Sequence, residues 1–455
     1  GSTSAVFLRK GQPEQAELAH PPDGVDGKGV IAIPGLGVGS DLPVGEIAHD
    51  RTELLLFGRR VELHGEDGSR SGTVRPVDAR QGYAVVRDGG KWIICERPTR
   101  VITARGADAF AALDDIAAGG FWVGFIAYDA GRAIEHIEPR IDDDLGLPDL
   151  AFVRFEDVRR VDELPPPDPR AHGAAPVELG RGESSLNPAE HAALVAQVQE
   201  LLAAGECYQV NLTRRLTFDG APDPGALFAA LTRLNPAPHA AVAVFGEALP
   251  GVAVVSASPE LFLRIDGRTV ETRPIKGTAP DAAELRVSAK DRAENVMIVD
   301  LARNDLGRVC EFGSIRVPAL FAIEEHPGLA HLVSTVRGRL RPGVDLAEVV
   351  RATFPPASVT GAPKPRVLQA IEDLEPVRRG VYCGAVGWVD GDRACAELSV
   401  AIRTFTISGG RTYLGVGGGI VADSCASSEW AETELKGARL LRAAGARIEQ
   451  TADIR

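Results

Sequence analysis

Lys276 is the residue whose surroundings most favour chemistry. It lies between a rigid proline and a glycine in the segment Pro-Ile-Lys-Gly-Thr, just after a predicted β-hairpin. In that hairpin, residues 260–265 and 268–273 flank Asp266-Gly267, a pair suited to a type I′ turn. A lysine at a strand end can be desolvated, and desolvation or a nearby cation lowers the pKa of an amine and makes it nucleophilic. Most single lysines are surface residues, so this hypothesis depends on the neighbouring motifs.

A carboxylic acid begins the same hairpin. Glu260, in the segment Ser-Pro-Glu, stands at the opposite end of the hairpin from Lys276. A general acid across from an amine nucleophile can protonate a leaving group while the amine attacks. Either residue alone is a weak signal, but together they predict an acid–nucleophile pair.

Three glutamates could bind a metal. Glu429 and Glu432 are three residues apart on a predicted helix, so their carboxylates share a face, and Glu294 lies near the start of another predicted helix. Mg²⁺ favours a few acidic ligands completed by substrate oxygens and water. Solvated helix faces are the alternative, and Lys436 could form a simple i,i+4 salt bridge with Glu432.

Other residues could bind an anion. The glycine-rich run 415–420 can expose backbone N–H groups to a carboxylate or phosphate, although a sheet corner or bulge is equally expected. The spacing of this run is not G-x-G-x-x-G, and the chain has no G-x-x-x-x-G-K-[ST], which argues against a nucleotide site. Arg403 lies in a predicted strand, 399–405, where it would clamp a carboxylate or form a structural ion pair. His331, in apolar surroundings, is more typical of a core residue than of a catalyst.

The composition narrows the class of protein. A net charge of −13 argues against nucleic acid and anionic membranes as partners, and it requires local cations or a metal at any anionic-substrate site. The six cysteines are scattered without C-x-x-C spacing, so reduced thiols are expected. The sequence shows no apolar stretch of membrane-spanning length and no signal-peptide pattern, so we expect a cytoplasmic protein.

The 455 residues divide into three predicted regions. Residues 1–160 are strand-rich, 161–185 form a proline-rich linker, and 186–450 form the larger region that carries the residues above. Helices are predicted over 107–118, from an Asn187 N-cap, from Ser288 to Gly307 and from Ser428 to Leu441. Hairpins dominate between them, so the predicted class is α+β with antiparallel sheets.

Six ordered motifs resemble the chorismate-utilising enzyme family, which includes anthranilate synthase component I, aminodeoxychorismate synthase component I, and the isochorismate and salicylate synthases. The motifs occupy residues 205–212, 258–260, 294–306, 331–334, 358–364 and 384–387. The match is dense from about 185 to 445. The resemblance implies large antiparallel sheets in an intertwined, two-lobed sandwich with helices packed outside.

Two positions indicate the branch of the family. Lys276 resembles the aminodeoxychorismate synthases, whereas anthranilate synthases typically place alanine there. Gln209 stands where the water-using isochorismate formers are expected to carry a lysine base, so Gln209 is the predicted nucleophile-selecting residue. Both positions indicate conversion of chorismate and ammonia to 4-amino-4-deoxychorismate, on the route to 4-aminobenzoate and folate. Anthranilate or salicylate synthesis on the same fold, and a non-catalytic chorismate-binding subunit, are the alternatives.

The resemblance also implies roles for individual residues. Lys276 would attack ring carbon C2 while Glu260 protonates the departing C4 hydroxyl, after which ammonia adds at C4 and expels the lysine. Glu294 and Glu432, with Glu429 beside them, resemble ligands of a Mg²⁺ cofactor. The ammonia would come from a separate glutamine amidotransferase subunit. The residues that resemble substrate contacts are Gly277, Thr278, His331, Thr360, Tyr382, Arg403, Gly417, Gly418, Gly419 and Lys436.

Overall fold

The computed structural model describes residues 73–76, 82–135, 137–164, 177–279, 281–326 and 329–449. Within these residues the strands are β1 (Thr73–Pro76), β2 (Tyr83–Asp88), β3 (Lys91–Ala104), β4 (Phe121–Ile126), β5 (Leu150–Val161), β6 (Gly180–Ser184), β7 (Gln209–Asp219), β8 (His239–Val244), β9 (Ala253–Ser258), β10 (Leu261–Asp266), β11 (Thr269–Arg273), β12 (Ile275–Ala279), β13 (Arg316–His326), β14 (Leu329–Arg339), β15 (Gly361–Ala362), β16 (Ala385–Asp390), β17 (Cys395–Val400), β18 (Thr404–Ser408), β19 (Arg411–Ile420) and β20 (Ala446–Ile448). The helices are α1 (Asp108–Ala117), α2 (Pro188–Ala203), α3 (Pro224–Leu234), α4 (Ala282–Val287), α5 (Ala289–Gly307), α6 (Leu346–Thr353), α7 (Lys364–Leu374) and α8 (Ala426–Ala443).

The strands pair along two arms that share β3. One arm runs β3–β5–β4–β16–β17–β10–β11–β14, with β12 and β13 also pairing with β14. The other runs β3–β2–β8–β9–β18–β19–β7, with β6 and β15 pairing with β7. These pairings are antiparallel, and β20 joins β6 in parallel. The protein is therefore α+β with large antiparallel sheets, as predicted.

The two arms bury their apolar faces against each other, and helices cover their outer faces. Strands from both arms contribute to one core cluster, for example Phe125 of β4, Val254 of β9 and Val386 of β16. A second cluster packs α1, α2, α6 and α7 against strands that include β10, β14 and β17. A third packs α3 and α8 against β8, β9, β18 and β19. This arrangement gives each arm one helix-covered face, on which α5 and α8 are fixed.

The predicted regions on either side of the linker share strands. β2 pairs with β8, and β4 pairs with β16, so strands from the first region lie inside both arms. Residues 165–176, which hold most of the predicted proline-rich linker, lie outside the described residues. The strand β6 lies within the 161–185 segment. The three-region division itself stays a prediction.

Local sequence signals explain where the helices begin. The Asn187 side chain accepts from the N–H groups of Ala189 and Glu190. The Glu190 carboxylate in turn accepts from the N–H of Asn187, which completes a capping box at α2. Ser288 caps α5 by accepting from the N–H of Asp291. The prediction for α8 was two residues late, since α8 begins at Ala426 after Cys425, without a side-chain cap. No helix among the described residues is long and apolar enough to cross a membrane.

Candidate active site

Glu260 is buried at the junction of β9 and β10. Its side chain is 4% exposed, and the backbone N–H of Ile275 and the hydroxyl of Ser358 lie close enough to its carboxylate to affect its pKa. Burial raises the pKa of Glu260 to about 7, although these two donors and Lys276 act in the opposite direction. An acid with that pKa can hold or release a proton near neutral pH.

Lys276 lies on β12, and its amine faces the same loop as Glu260. The Nζ atom of Lys276 is 3.5 Å from the carbonyl oxygen of Ser358. Burial lowers the pKa of Lys276, and Lys436 lowers it further, while Glu294, Glu260 and Glu432 partly compensate. The predicted hairpin is confirmed as β10 and β11, and β12 follows it directly. The predicted type I′ turn at Asp266-Gly267 is wrong: Asp266 pairs with Thr269, so the turn residues are Gly267 and Arg268, of which only Gly267 has positive φ, at +54°. The structure thus brings the predicted acid and nucleophile to a common loop residue, Ser358.

The residues after Lys276 are held close to α5. Gly277 has φ +86°, and a Cβ added there would lie 2.9 Å from the side chain of Asp291, so the position requires glycine. The backbone of Thr278 pairs with His331 of β14, and its side chain lies outside the described part of the chain. His331 is buried at 2% exposure.

The α8 side of the candidate site is built around Gly418. A Cβ added to Gly418 would lie 3.3 Å from Glu429 Oε2, 3.7 Å from Glu432 Oε1 and 3.9 Å from Lys436 Nζ. Lys436 bonds Glu432 Oε1 at 2.6 Å and donates to the carbonyl of Gly417 at 2.8 Å. The backbone of Gly418 therefore lies beside all three of these side-chain ends. The predicted i,i+4 salt bridge and the shared face of Glu429 and Glu432 are therefore present.

The carboxylates differ in their surroundings. Glu429 is buried and accepts from the Ser424 hydroxyl at 2.7 Å. Burial would raise the pKa of Glu432, but Lys436, Lys290 and Lys276 outweigh it and lower that pKa. Burial raises the pKa of Glu294, which Lys276 and Lys290 oppose.

Metal binding depends on how these carboxylates converge. Glu294 contacts Lys290 at 3.9 Å. Across the described ranges no group of three or more His, Cys, Asp and Glu side chains is already gathered at metal-binding distance. Glu429 and Glu432, which share the approach to Gly418, are the pair that the fold brings together.

Arg403 is not within a strand, which corrects the prediction. It lies between β17 and β18 with φ +52°, and its carbonyl accepts from the N–H of Ala257. Burial, together with the nearby Arg439, lowers the pKa of Arg403 to about 10. No carboxylate of the described residues pairs with its guanidinium. A partly buried arginine without an acidic partner suits an anionic ligand.

Three other predicted residues occupy different surroundings. The Tyr382 ring packs on Gly415, where an added Cβ would lie 2.2 Å from the ring. The Thr360 hydroxyl donates back to the Pro356 carbonyl at 3.1 Å, within its own loop. Gln209 is fully buried, and within the described chain neither amide atom has a hydrogen-bond partner. Its Nε2 lies 2.6 Å from where a Cβ of Gly419 would be, so Gln209 faces the glycine run.

Ser358 is the residue that sequence reasoning missed. It lies in a short 3₁₀ turn, 357–359, where its hydroxyl meets Glu260 and its carbonyl meets Lys276. Its position in the motif 358–364 is the available signal, but the resemblance indicates Thr360 of that motif instead.

Comparison with known proteins gives the family. The model for chorismate binding enzymes matches residues 86–442. An aminodeoxychorismate synthase component 1 from Klebsiella aerogenes is 40% identical over 70% of this chain and 76% of the relative. An anthranilate synthase component 1 from Streptomyces coelicolor is 37% identical over 70% of this chain and 72% of the relative. The crystal structure of anthranilate synthase component I from Streptococcus pneumoniae superimposes with a TM-score of 0.65 and 24% identity, covering 84% of this chain and 95% of that one, and supports the fold. The chain belongs to the chorismate binding enzyme family.

Proposed function

We propose that this protein aminates chorismate to 4-amino-4-deoxychorismate. The observation that carries the proposal is the arrangement of Lys276 and Glu260 on either side of Ser358, with the amine partly desolvated and the acid buried. The relative named aminodeoxychorismate synthase component 1 supports the same activity. The anthranilate synthase relative is nearly as similar in identity, so the proposal depends on Lys276 rather than on overall similarity.

The chemistry that we propose divides one difficult substitution into two steps. The neutral amine of Lys276 forms a bond to ring carbon C2, both double bonds of the ring shift, the C4–O bond breaks, and the hydroxyl leaves as water with the proton of Glu260. Ammonia then bonds C4, both double bonds shift back, and the C2–lysine bond breaks with its electrons returning to the amine. The proton that the added ammonia loses returns to Glu260, so the protein ends each cycle in its starting state.

Charge on the substrate needs partners that this acidic chain provides locally. Arg403, desolvated and without an acidic partner among the described residues, suits one substrate carboxylate. Lys436 and the backbone of Gly417 to Gly419 suit another, beside the α8 carboxylates. Each contact would hold the ring in one orientation relative to Lys276.

The carboxylate oxygens of Glu294, Glu429 and Glu432 are ligands of the type that Mg²⁺ prefers. Glu429 and Glu432 approach one point on β19, and the charge of Glu294 interacts with both Lys276 and Glu432. Hard carboxylate oxygens completed by substrate oxygens and water are what Mg²⁺ prefers. When bound, the ion would neutralise substrate carboxylate charge. Glu429, Glu432 and Glu294 are the residues that we propose to hold it.

Ammonia would come from a glutamine amidotransferase subunit. The name "component 1" of the similar relatives supports a second component. On this proposal the isolated chain uses ammonium salts but not glutamine.

The direct test is to incubate the chain with chorismate, Mg²⁺ and ammonium and to identify the product by mass. The expected product retains the enolpyruvyl group and carries an amine in place of the hydroxyl. Release of pyruvate with formation of anthranilate would overturn the proposal in favour of the closest alternative. Glutamine without ammonium is the matched control, and turnover with it would refute the need for a partner.

A further inference from the structure

Ser358 can serve the reaction only if its loop is held in place. We define the Ser358 segment as residues 353–364, from the last residue of α6 to the first residue of α7. Its two contacts with the reacting groups, to Glu260 and to Lys276, both come from one residue in the middle of the segment. A shift of the segment would therefore move the partners of the acid and of the amine together.

The buried guanidinium of Arg379 hydrogen-bonds the segment next to Ser358. Arg379 is 6% exposed and donates through Nη1 to the carbonyl of Val359 at 2.8 Å. Its Nη2 donates to the carbonyl of Asn211 on β7 at 2.6 Å. The guanidinium thus ties the residue next to Ser358 to the strand β7.

Glu375 completes the same connection. Its carboxylate accepts from Nε and Nη2 of Arg379 at 2.8 and 2.6 Å. It also accepts from the backbone N–H and the hydroxyl of Thr213 at 2.8 and 2.9 Å. Both side chains of the ion pair are only 2% exposed. The hydrogen bonds of the pair to Val359, Asn211 and Thr213 therefore join the Ser358 segment to β7. The guanidinium of Arg379 also lies over the ring of Tyr128, 4.4 Å from its centroid.

The β7 residues that the pair contacts, Asn211 and Thr213, lie opposite the glycine-rich run 415–420 of β19. In the β7–β19 register, Asn211 faces Gly419 and Thr213 faces Gly417. Gly418, between them, is the residue that Glu429, Glu432 and Lys436 approach. The pair thus connects the loop that contacts Glu260 and Lys276 to β7, which in turn pairs with β19 beside the α8 carboxylates.

Stability alone is a weak reason to keep this pair. Desolvating two charges costs free energy, and well-packed apolar residues of similar volume often replace a buried ion pair at no loss. An apolar pair, however, could not donate to two backbone carbonyls of different elements at once.

We propose that Arg379 and Glu375 are positioning residues for the reaction: they hold the Ser358 segment against β7, so that Ser358 meets Glu260 and Lys276 together. The inference rests on the proposed function for the roles of Glu260 and Lys276. Arg379 and Glu375 touch neither reacting group, so they act through Ser358.

The test is a double-mutant cycle between R379K and S358A, read as the rate of chorismate consumption at saturating substrate. Lysine keeps the charge but cannot make the forked contacts to Glu375, Val359 and Asn211. We expect R379K alone to lower kcat by about 30- to 100-fold with KM within about threefold, since a small misplacement near reacting groups has effects of this order. S358A removes the hydroxyl contact to Glu260 but keeps the carbonyl contact to Lys276, so in that background R379K should still lower kcat, but by at least about threefold less than in the wild type.

Arg132→Lys is the matched control. Arg132 pairs with Glu372 of α7 and with Asp129. Asp129 also accepts from the N–H of Gly380, so this control changes an ion pair close to Arg379 while leaving the bonds of Arg379 to Val359, Asn211 and Glu375 in place. R132K should therefore leave kcat within about twofold, whatever it does to the unfolding midpoint.

Two results would overturn the proposal. One is an equal fold-loss of kcat from R379K with and without Ser358. The other is a crystal structure of R379K in which the Ser358 hydroxyl still lies beside the Glu260 carboxylate. If R379K does not fold, E375Q, which keeps an acceptor for Thr213, enters the cycle in its place. If chorismate were consumed to another product, the proposed function would be refuted, but the double-mutant cycle could still be measured from the rate of consumption. The crystal structure tests the positioning role without any activity measurement.

Discussion

The candidate site contains two glutamate–lysine pairs in opposite environments. Glu260 and Lys276 lie at the hairpin, where the carboxyl is 4% exposed and burial moves both pKa values toward neutrality. Glu432 and Lys436 lie one turn apart on α8, where the side chains are 44% and 42% exposed and the pKa of Glu432 is lowered. The residue types are the same, so burial and neighbours decide what each pair can do.

The difference separates proton transfer from charge binding. A carboxyl with a pKa of about 7 beside an amine with a lowered pKa can exchange a proton with a substrate at neutral pH. A carboxylate with a lowered pKa stays ionised, which suits a cation rather than a proton. Removing one member of the buried pair should therefore lower kcat, whereas removing one member of the exposed pair should weaken the binding of substrate or metal.

The largest effect is expected at the two lysines. K276A should lower the rate of amination by about 10⁴-fold or more, because it removes the proposed nucleophile. K436A, the matched variant on α8, should act mainly by raising KM for chorismate, by about tenfold, because it removes a proposed substrate contact. Steady-state kinetics with chorismate and ammonium would measure both. Equal losses of kcat in K276A and K436A would show that the two glutamate–lysine pairs do not have different roles.

The second effect concerns Glu260 and the pH profile. E260Q should lower kcat by about 10³-fold, a typical loss for a general acid. In the wild type the reacting arrangement carries one proton on the pair, so kcat/KM should fall below pH about 7 and again above the lowered pKa of Lys276. E260Q should lose the limb near pH 7 because glutamine does not titrate. An unchanged profile in E260Q would show that Glu260 is not the acid.

How much of this site the sequence predicts depends on how far apart along the chain the interacting residues lie. The hairpin before Lys276, the Ser288 cap of α5 and the spacing of Glu429 and Glu432 are local patterns, and all three are present in the structure. Arg403 was misplaced because alternation cannot show that the chain turns left-handed between β17 and β18. Local patterns identify elements, but they do not show where elements meet.

Ser358 and Arg379 illustrate what no local pattern contains. Ser358 meets Lys276 across 82 residues of sequence, and Arg379 meets Asn211 across 168. Ser358 lies in an uncharged segment, and Arg379 lies in a charged one, 372–379, whose sequence does not show which backbone groups it will contact. Their roles follow only from the pairing of distant strands. The resemblance to the family identified the motif around Ser358, but the choice of residue within it needed the fold.

The third effect is expected on metal dependence. E432Q should raise the Mg²⁺ concentration for half-maximal activity by about 10- to 100-fold, because it removes one proposed anionic ligand. The limb of the pH profile near 7 should stay in place, in contrast to E260Q. Activity measured against Mg²⁺ in EDTA-treated protein would test this, with E434Q, on the same helix and paired instead with Arg214, as the control. A Mg²⁺ requirement unchanged by E432Q would remove Glu432 from the ligand set.

The smallest effect, on stability, gives the two glutamates different pH dependences. The raised pKa of Glu260 means that its neutral form contributes stability fully below pH about 4.5, and that this is lost as pH rises through about 7. Glutamine stays neutral, so E260Q should gain stability relative to wild type between pH 5 and 8, by up to roughly 3 kcal/mol. The lowered pKa of Glu432 means that its contribution is present above pH about 4.5 and lost only on acidification, so E432Q should be less stable by a constant amount over the same range. Urea unfolding of the three metal-free proteins at several pH values would decide. Parallel curves for the two variants would show that burial does not separate the pairs.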